Sequence, residues 1–316
     1  MRDAFPFLSS AQPQCPQSLL DRARGLAVPR VALVNAGSAN ALSGIREAWE
    51  AGLADPVLIG DRDRITATAA EIGWDIRPFS LLHAPKDAAV TEAARLARTG
   101  EVQSIMKGQI HTSAFLKALL PSAAGLRDKG TRCGHVFHLT VSGSDRALLL
   151  TDGALNVDPD VDTRKACLAH AVNLAKLLGV AHPKAGILSP TEDIVPTIPN
   201  TGEAAEIADW AKSALPGCSV QGPMALDLIW SRAAAQAKGY ASDVSGDADI
   251  LCVPNITSGN ALFKLMVLGM GACAGGIVMG LRVPVLLTSR SQGAADRLAS
   301  AALGVIAANG QKGAQA

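Results

Sequence analysis

From residue 30 onward, short runs of β-favouring residues alternate with segments in which Ala, Leu and Val recur at helical spacing. That alternation restricts the chain to an α/β fold built on a largely parallel sheet. Val31–Asn35, Pro56–Ile59 and Ser104–Lys107 read as buried strands, Ser43–Gly52 and Lys86–Thr99 as helices, and Asp61 opens another helix. At mid-chain, His135–Val141 and Ala147–Thr151 flank the turn-rich connector Ser142–Arg146, which predicts an antiparallel pair. A helix over 160–179, a strand at Ala185–Leu188 and a helix over 201–214 follow. Strands at Ala248–Val253, Ala274–Met279 and Val283–Leu287 then precede a last helix, Gly293–Ala308. An α/β start, a central hairpin and a closing strand–helix suit two domains joined by two crossings, 1–134 with 282–316 and 135–281.

Composition narrows the function. With 316 residues, 48% of them hydrophobic, the chain can bury a core of two-domain size. The formal net charge of +1 gives no global field for nucleic acid or an anionic membrane, and 3% aromatics leaves few rings to stack bases. Abundant small residues suit helices packed close on strands, and they equally suit a GC-rich codon bias. The six cysteines are scattered without a CxxC pair, which argues for a reducing compartment and against a zinc cluster or a disulfide scaffold. The start MRDAFPFLSSAQPQCPQS is broken by prolines and has no apolar signal region. Leu262–Val278 contains Lys264 and many small residues, so it reads as a buried helix running into a strand and not as a membrane span. A soluble, cytoplasmic protein is expected.

Three segments have the make-up of a site. In VPVLLTSRSQGAAD (283–296) an apolar strand ends at Thr288-Ser289-Arg290, Gly293 follows, and a helix begins with Asp296 in its first turn. Ligands of open α/β sheets gather at strand C-termini, helix N-termini offer N–H groups to anions, and an Arg beside a hydroxyl suits phosphate or a carbonyl. Asp296 is also explained by the preference for acids in a first helical turn. In ADILCVPNITSGNALFK (248–264), Gly259 permits close backbone approach while Asn255, Ser258 and Asn260 offer neutral donors. Helix capping by Ser258 or Asn260 accounts for the same pattern. In SIMKGQIHTS (104–113), Lys107 ends a strand ahead of His111, Thr112 and Ser113, without the spacing of an ATP-binding P-loop. Asp152, Asn156, Glu192 and Asp227 lie at other strand ends and read as caps or turn residues.

Other chemistries lack an anchor. No G-x-G-x-x-G follows the first strand, no G-x-S-x-G elbow occurs, and the six histidines have no metal-ligand spacing. His135 and His138, three apart on a strand, point to opposite faces. No metal site is expected.

Read together, MKG (106–108), GLR (125–127), LTDGALN (150–156), GPMALD (222–227), SGDADILCVPN (245–255), SGNALFK (258–264) and VPVLLTSR (283–290) resemble the phosphate acetyltransferase/phosphate butyryltransferase family, in the family's order, over about residues 30–305. The MKG, LTDxAxN and GPxALD forms are similar to the butyryltransferase branch and to the phosphate-acetyltransferase halves of fused proteins. The resemblance implies a two-domain fold of the isocitrate/isopropylmalate dehydrogenase type, with mostly parallel sheets and an interdomain cleft, usually as a homodimer. It implies the exchange acyl-CoA + phosphate ⇌ acyl phosphate + CoA, with coenzyme A and phosphate as substrates and no tightly bound cofactor. In catalytic roles it places Ser289 and Arg290 on the acyl phosphate and Asp296 as base. Substrate binding falls to Lys107, Arg127, Asn255, Ser258, Gly259, Asn260 and Lys264.

The implied chemistry needs no covalent enzyme intermediate. A free thiol and an ordinary Asp are mismatched by roughly 6 kcal/mol, so Asp296 must be made more basic or the thiolate stabilised. The chain departs from its relatives in places. Ser291-Gln292-Gly293 stands where the acetyltransferases carry Gly-Cys-Ser, Lys117 where relatives often have Arg, Asn255 for an acid and Gly134 for Ser. Two other readings compete: a dehydrogenase of the related fold, which would need a metal-binding acidic or histidine cluster and a nicotinamide site, and a non-catalytic sensor of acyl-CoA or phosphate.

Overall fold

A computed structural model of the chain describes residues 5–287 and 293–315, with side chains through 311. The chain divides into two compact units, the first made of 13–133 and 273–316, the second of 1–12 and 134–272. In contact terms, therefore, residues 1–12 group with the second unit and 273–281 with the first.

The first unit opens with α1 (Gln17–Ala23), β1 (Arg30–Val34), α2 (Ala39–Glu50), β2 (Asp55–Gly60) and α3 (Arg62–Glu71). It continues through β3 (Ser80–His83), α4 (Asp87–Arg98), β4 (Ser104–Lys107) and α5 (Thr112–Leu119). The chain then builds the second unit from β5 (Gly134–Thr140), β6 (Leu148–Thr151), α6 (Val161–Leu177), β7 (Lys184–Leu188) and α7 (Pro199–Ala214). β8 (Ser219–Met224), α8 (Leu226–Trp230), α9 (Arg232–Ala237), β9 (Ile250–Cys252) and α10 (Ile256–Lys264) complete it. β10 (Cys273–Met279), β11 (Val285–Leu286) and α11 (Ala294–Gln315) return to the first unit.

In the first unit the strands lie in the order β3-β2-β1-β4-β11-β10, all parallel except β10, which runs against β11. β1 is apolar on both faces, as a parallel strand covered on two sides must be: Val31, Ala32, Leu33 and Val34 are all buried. Asp61 caps α3 by accepting from the Arg64 N–H at 3.0 Å, which explains the break after β2. α11 packs along β10 and against α1 and α2. That close crossing requires a glycine in the strand: a Cβ on Gly275 of β10 would stand 2.8 Å from Leu303 and 3.1 Å from the Ala299 carbonyl carbon.

The second unit has the order β5-β6-β9-β7-β8, with β5 and β6 forming the expected antiparallel pair and the remainder parallel. Asp160 caps α6, accepting from the Thr163 N–H at 2.7 Å, and Pro199 opens α7 where no N–H partner is needed. After α10 the chain widens into a π turn, Leu265–Gly269. The expectation of a buried helix ahead of β10 is corrected here, because Leu265, Leu268 and Met270 are exposed. Two strands escaped the sequence, β3 and β8. Among the described residues, no helix is long and apolar enough to cross a membrane.

Candidate active site

Asp296 stands in the first turn of α11 and is only 3% exposed. Its Oδ1 accepts the Ala274 N–H at 2.7 Å and its Oδ2 accepts the Gly293 N–H at 3.0 Å. The side chain thus caps its own helix and ties it to β10, which goes beyond the preference for an acid in a first helical turn. Burial, however, pushes the carboxyl above the usual range, against the opposing pull of the two N–H donors, the Cys273 thiol and Arg297. Burial and the nearby carboxylate likewise push up the thiols of Cys273 and Cys15, the latter to about 11. Below, Ser300 Oγ donates to the Asp296 carbonyl at 2.9 Å and accepts the Gly276 N–H at 3.0 Å, a second rivet between helix and strand. Ser289 and Arg290 lie outside the described residues.

Lys107 ends β4 and is buried, its Nζ 3.5 Å from the Gly108 carbonyl. The following loop is pinned to the end of β1, with Gly108 N–H on the Val34 carbonyl at 2.9 Å and Gln109 N–H on that of Asn35 at 3.0 Å. Glycine is required by this approach, since a Cβ would stand 2.3 Å from the Val34 oxygen. Arg127 is half-buried, with Nη1 on the Thr131 carbonyl at 3.2 Å and Nε without a hydrogen-bond partner among the described residues. Lys117 is exposed in the last turn of α5. Lys107, Arg127 and Asp296 therefore occupy three separate places in the first unit: the end of β4, the segment after α5 and the start of α11.

The second unit gathers Asn255, Ser258, Gly259 and Asn260 at the start of α10. The cap is Asn255, not Ser258 or Asn260 as the pattern suggested: its Oδ1 accepts both the N–H and the hydroxyl of Ser258 at 3.0 Å. Asn260 instead crosses to the Gly153 carbonyl at 3.3 Å. Gly259 meets Gly153 so closely that a Cβ would lie 2.7 Å from the Gly153 Cα and 2.8 Å from the Asp152 carbonyl oxygen. Lys264 is exposed at the far end of the helix, away from this group.

Asp152 outgrows the cap-or-turn role read from the sequence. It is buried and its two oxygens accept from His135 N–H (3.0 Å), Ala154 N–H (2.9 Å), Leu155 N–H (2.9 Å) and Asn156 Nδ2 (2.7 Å). The Asp-x-x-x-Asn spacing of LTDGALN was the available signal. His135 is fully buried, and burial holds its imidazole below the usual range despite the Asp152 charge.

With this geometry in view, comparison with known proteins is decisive. The family model described as phosphate acetyl/butaryl transferase matches residues 80–305. The chain belongs to the phosphate acetyl/butyryl transferase family. Members similar to it include a phosphate acetyltransferase of Rhizobium meliloti, 35% identical over all of this chain and 99% of that one. A phosphate butyryltransferase of Clostridium acetobutylicum is 34% identical over 88% of this chain and 93% of the relative. Among solved structures, a branched-chain phosphotransacylase from Enterococcus faecalis matches with a TM-score of 0.76 and 29% identity, covering 89% of this chain and 99% of that one. The fold is also shared with a 4-hydroxythreonine-4-phosphate dehydrogenase from Burkholderia phymatum, which aligns over 89% of this chain and 98% of that one with a TM-score of 0.55 at 12% identity. This phosphate acetyl/butyryl transferase family member is thus an acyltransferase enzyme.

Proposed function

We propose that the protein interconverts acyl-CoA plus phosphate with acyl phosphate plus CoA, acting on a short acyl group, and that Asp296 is the base for the CoA thiol. The observation that carries the reading is the environment of Asp296: a carboxylate buried at a helix start, made more basic by desolvation while two backbone N–H groups fix its orientation. An ordinary Asp is a poor base for a thiol, and raising its pKa narrows the roughly 6 kcal/mol gap between them.

In the direction of acyl-CoA synthesis the thiol proton passes to the Asp296 carboxylate and the sulfur attacks the acyl carbonyl. The tetrahedral intermediate then expels phosphate as the C–O bond breaks, and the thioester remains. Ser289 and Arg290 hold the acyl phosphate and stabilise charge on the carbonyl and departing phosphate oxygens. In the reverse direction a phosphate oxygen attacks the thioester, and the leaving thiolate recovers its proton from Asp296. Lys107 and Arg127 supply cations for the phosphate, and the start of α10 with Lys264 supplies contacts for CoA. The reading includes a homodimer without a tightly bound cofactor.

The acyl group is the open variable, since an acetyltransferase and a butyryltransferase match at 35% and 34% identity. The test is phosphate-dependent release of free thiol from acetyl-, propionyl- and butyryl-CoA, with Asp296→Asn alongside. Thiol should appear only with phosphate, and the variant should lose about 10²–10⁴ in rate, the usual worth of a general base. Release that ignores phosphate, or a variant that keeps the wild-type rate, overturns the assignment of chemistry or of the base, respectively.

A further inference from the structure

We propose that the second unit carries a self-complementary face on which two copies of the chain pair, Phe7 of each entering a methionine-lined socket of the other. The inference rests on the protein being a homodimer and assigns the surface that makes it one. Six large apolar side chains lie exposed around the π turn: Phe5 and Phe7 ahead of α1, Trp230 at the end of α8, and Leu265, Leu268 and Met270 on and just after the turn. Phe5 is 62% and Phe7 73% exposed. The first segment is laid against the turn, with Ser9 N–H on the Leu268 carbonyl at 2.8 Å. A Cβ on Gly269 would stand 3.2 Å from both the Phe7 carbonyl oxygen and Leu265 Cδ1. The six side chains together expose roughly 600–700 Å². That exceeds the largest apolar patch of a typical monomer, about 300–600 Å², and approaches the ~800 Å² that each partner gives to a standard interface.

The same face holds a receptor for a ring. Met266, Met270 and Trp230 join Leu139, Leu148 and Ile229 around a cavity of about 280 Å³. Small-molecule pockets run from about 300 to 1,000 Å³, so this one suits a single inserted side chain. Its thioethers can adapt to the shape of what enters. Phe7 stands in solvent and not in the cavity of its own chain. A knob and a socket on one face are what an isologous contact requires, since each copy then gives and receives the same group.

Charge and position agree with this pairing. Identical faces bring like charges together, but Arg146 at the socket is neutralised by Asp247 at 2.8 Å. Leu148 opens β6 and Ala248 precedes β9 on the socket side, whereas Asp152 and Asn255 follow those strands. Pairing through the socket therefore leaves the start of α10 clear for substrate.

The experiment is sedimentation equilibrium of wild type, Phe7→Ala and Met270→Glu, with folding checked by circular dichroism. Wild type should be a dimer. The two-fold places each substitution at the interface twice, so Phe7→Ala should raise the dissociation constant at least about tenfold, and Met270→Glu, which buries two carboxylates, should give monomer. A wild-type dissociation constant in either folded variant overturns the proposal and leaves the homodimer standing, whereas a monomeric wild type overturns both. A benzophenone side chain in place of Phe7 gives a readout independent of affinity. Irradiating a mixture of isotope-labelled and unlabelled chains should join position 7 of one copy to Met266 or Met270 of the other. Joining only within a chain, or only to residues outside the socket, refutes the insertion.

Discussion

The protein should lose stability in mild acid, and the size of the loss can be worked out from one strand. His138 sits on β5 at 4% exposure with Nδ1 lacking a hydrogen-bond partner among the described residues. Burial holds its imidazole down at about 4, against 6.5 in an unfolded chain. Between those values the unfolded state binds a proton that the folded state does not, so stability rises with pH. The contribution is complete above about pH 6.5 and drains as the pH falls toward 4. A gap of about 2.5 units corresponds to about 3 kcal/mol from this residue, a large fraction of the ~5–15 kcal/mol that holds a typical domain together. His135 adds in the same direction, being fully buried with neither ring nitrogen partnered among the described residues. Asp296 acts in the opposite sense, since its raised carboxyl favours the folded state in acid. Urea unfolding of wild type and His138→Leu at intervals from pH 7.5 to 4.5 measures the effect. The variant, of similar volume but unable to titrate, should lose about 2.5 kcal/mol less than wild type across the range, since the last part of the penalty falls below pH 4.5. Parallel curves for the two proteins refute the reasoning, because they would mean that His138 protonates without penalty in the folded state.

Other expectations are cheaper to check. Gly108→Ala places a methyl 2.3 Å from the Val34 oxygen, so it should cost about 1–3 kcal/mol, lower Tm by several degrees and impair turnover through displacement of Lys107. Asp152→Asn turns one acceptor oxygen into a donor facing donors; urea unfolding should show a loss of about 3 kcal/mol, and an unchanged midpoint contradicts the role given to Asp152. Asp160→Ala removes the cap of α6 and should cost about 1 kcal/mol by the same measurement, with turnover unaffected.

The sequence revealed what local physics controls. The central strands β1, β2 and β4 are continuous apolar runs because both faces are covered, and the hairpin of β5 and β6 is marked by the turn residues between them. β3 and β8 were hidden for the opposite reason. Each pairs with one neighbour only, β3 is partly exposed throughout, and β8 carries Gly222-Pro223, which reads as a turn. The Asp296 segment stood out because strand, glycine and helix start lie within fourteen residues, from Val283 to Asp296. Its surroundings did not, since Ala274 lies 22 residues away and Cys15 much farther, and no spacing rule connects them. Asn255 as the cap was missed because Ser258, which looked like the cap, is the residue being capped.

Gly153 and Gly259 bear on how the second unit can change over evolutionary time. Each occupies the space into which the other would grow a side chain: a Cβ on Gly153 would lie 3.0 Å from the Gly259 carbonyl carbon, and one on Gly259 would lie 2.7 Å from the Gly153 Cα. Neither position can relieve the other, because the obstacle in both directions is main chain. The two residues therefore form a single inherited character, replaceable only by rebuilding the loop after β6 together with the start of α10. Random mutagenesis that samples one site at a time will find both closed, whereas recombination between homologues that exchanges both segments as a block can pass between alternative solutions.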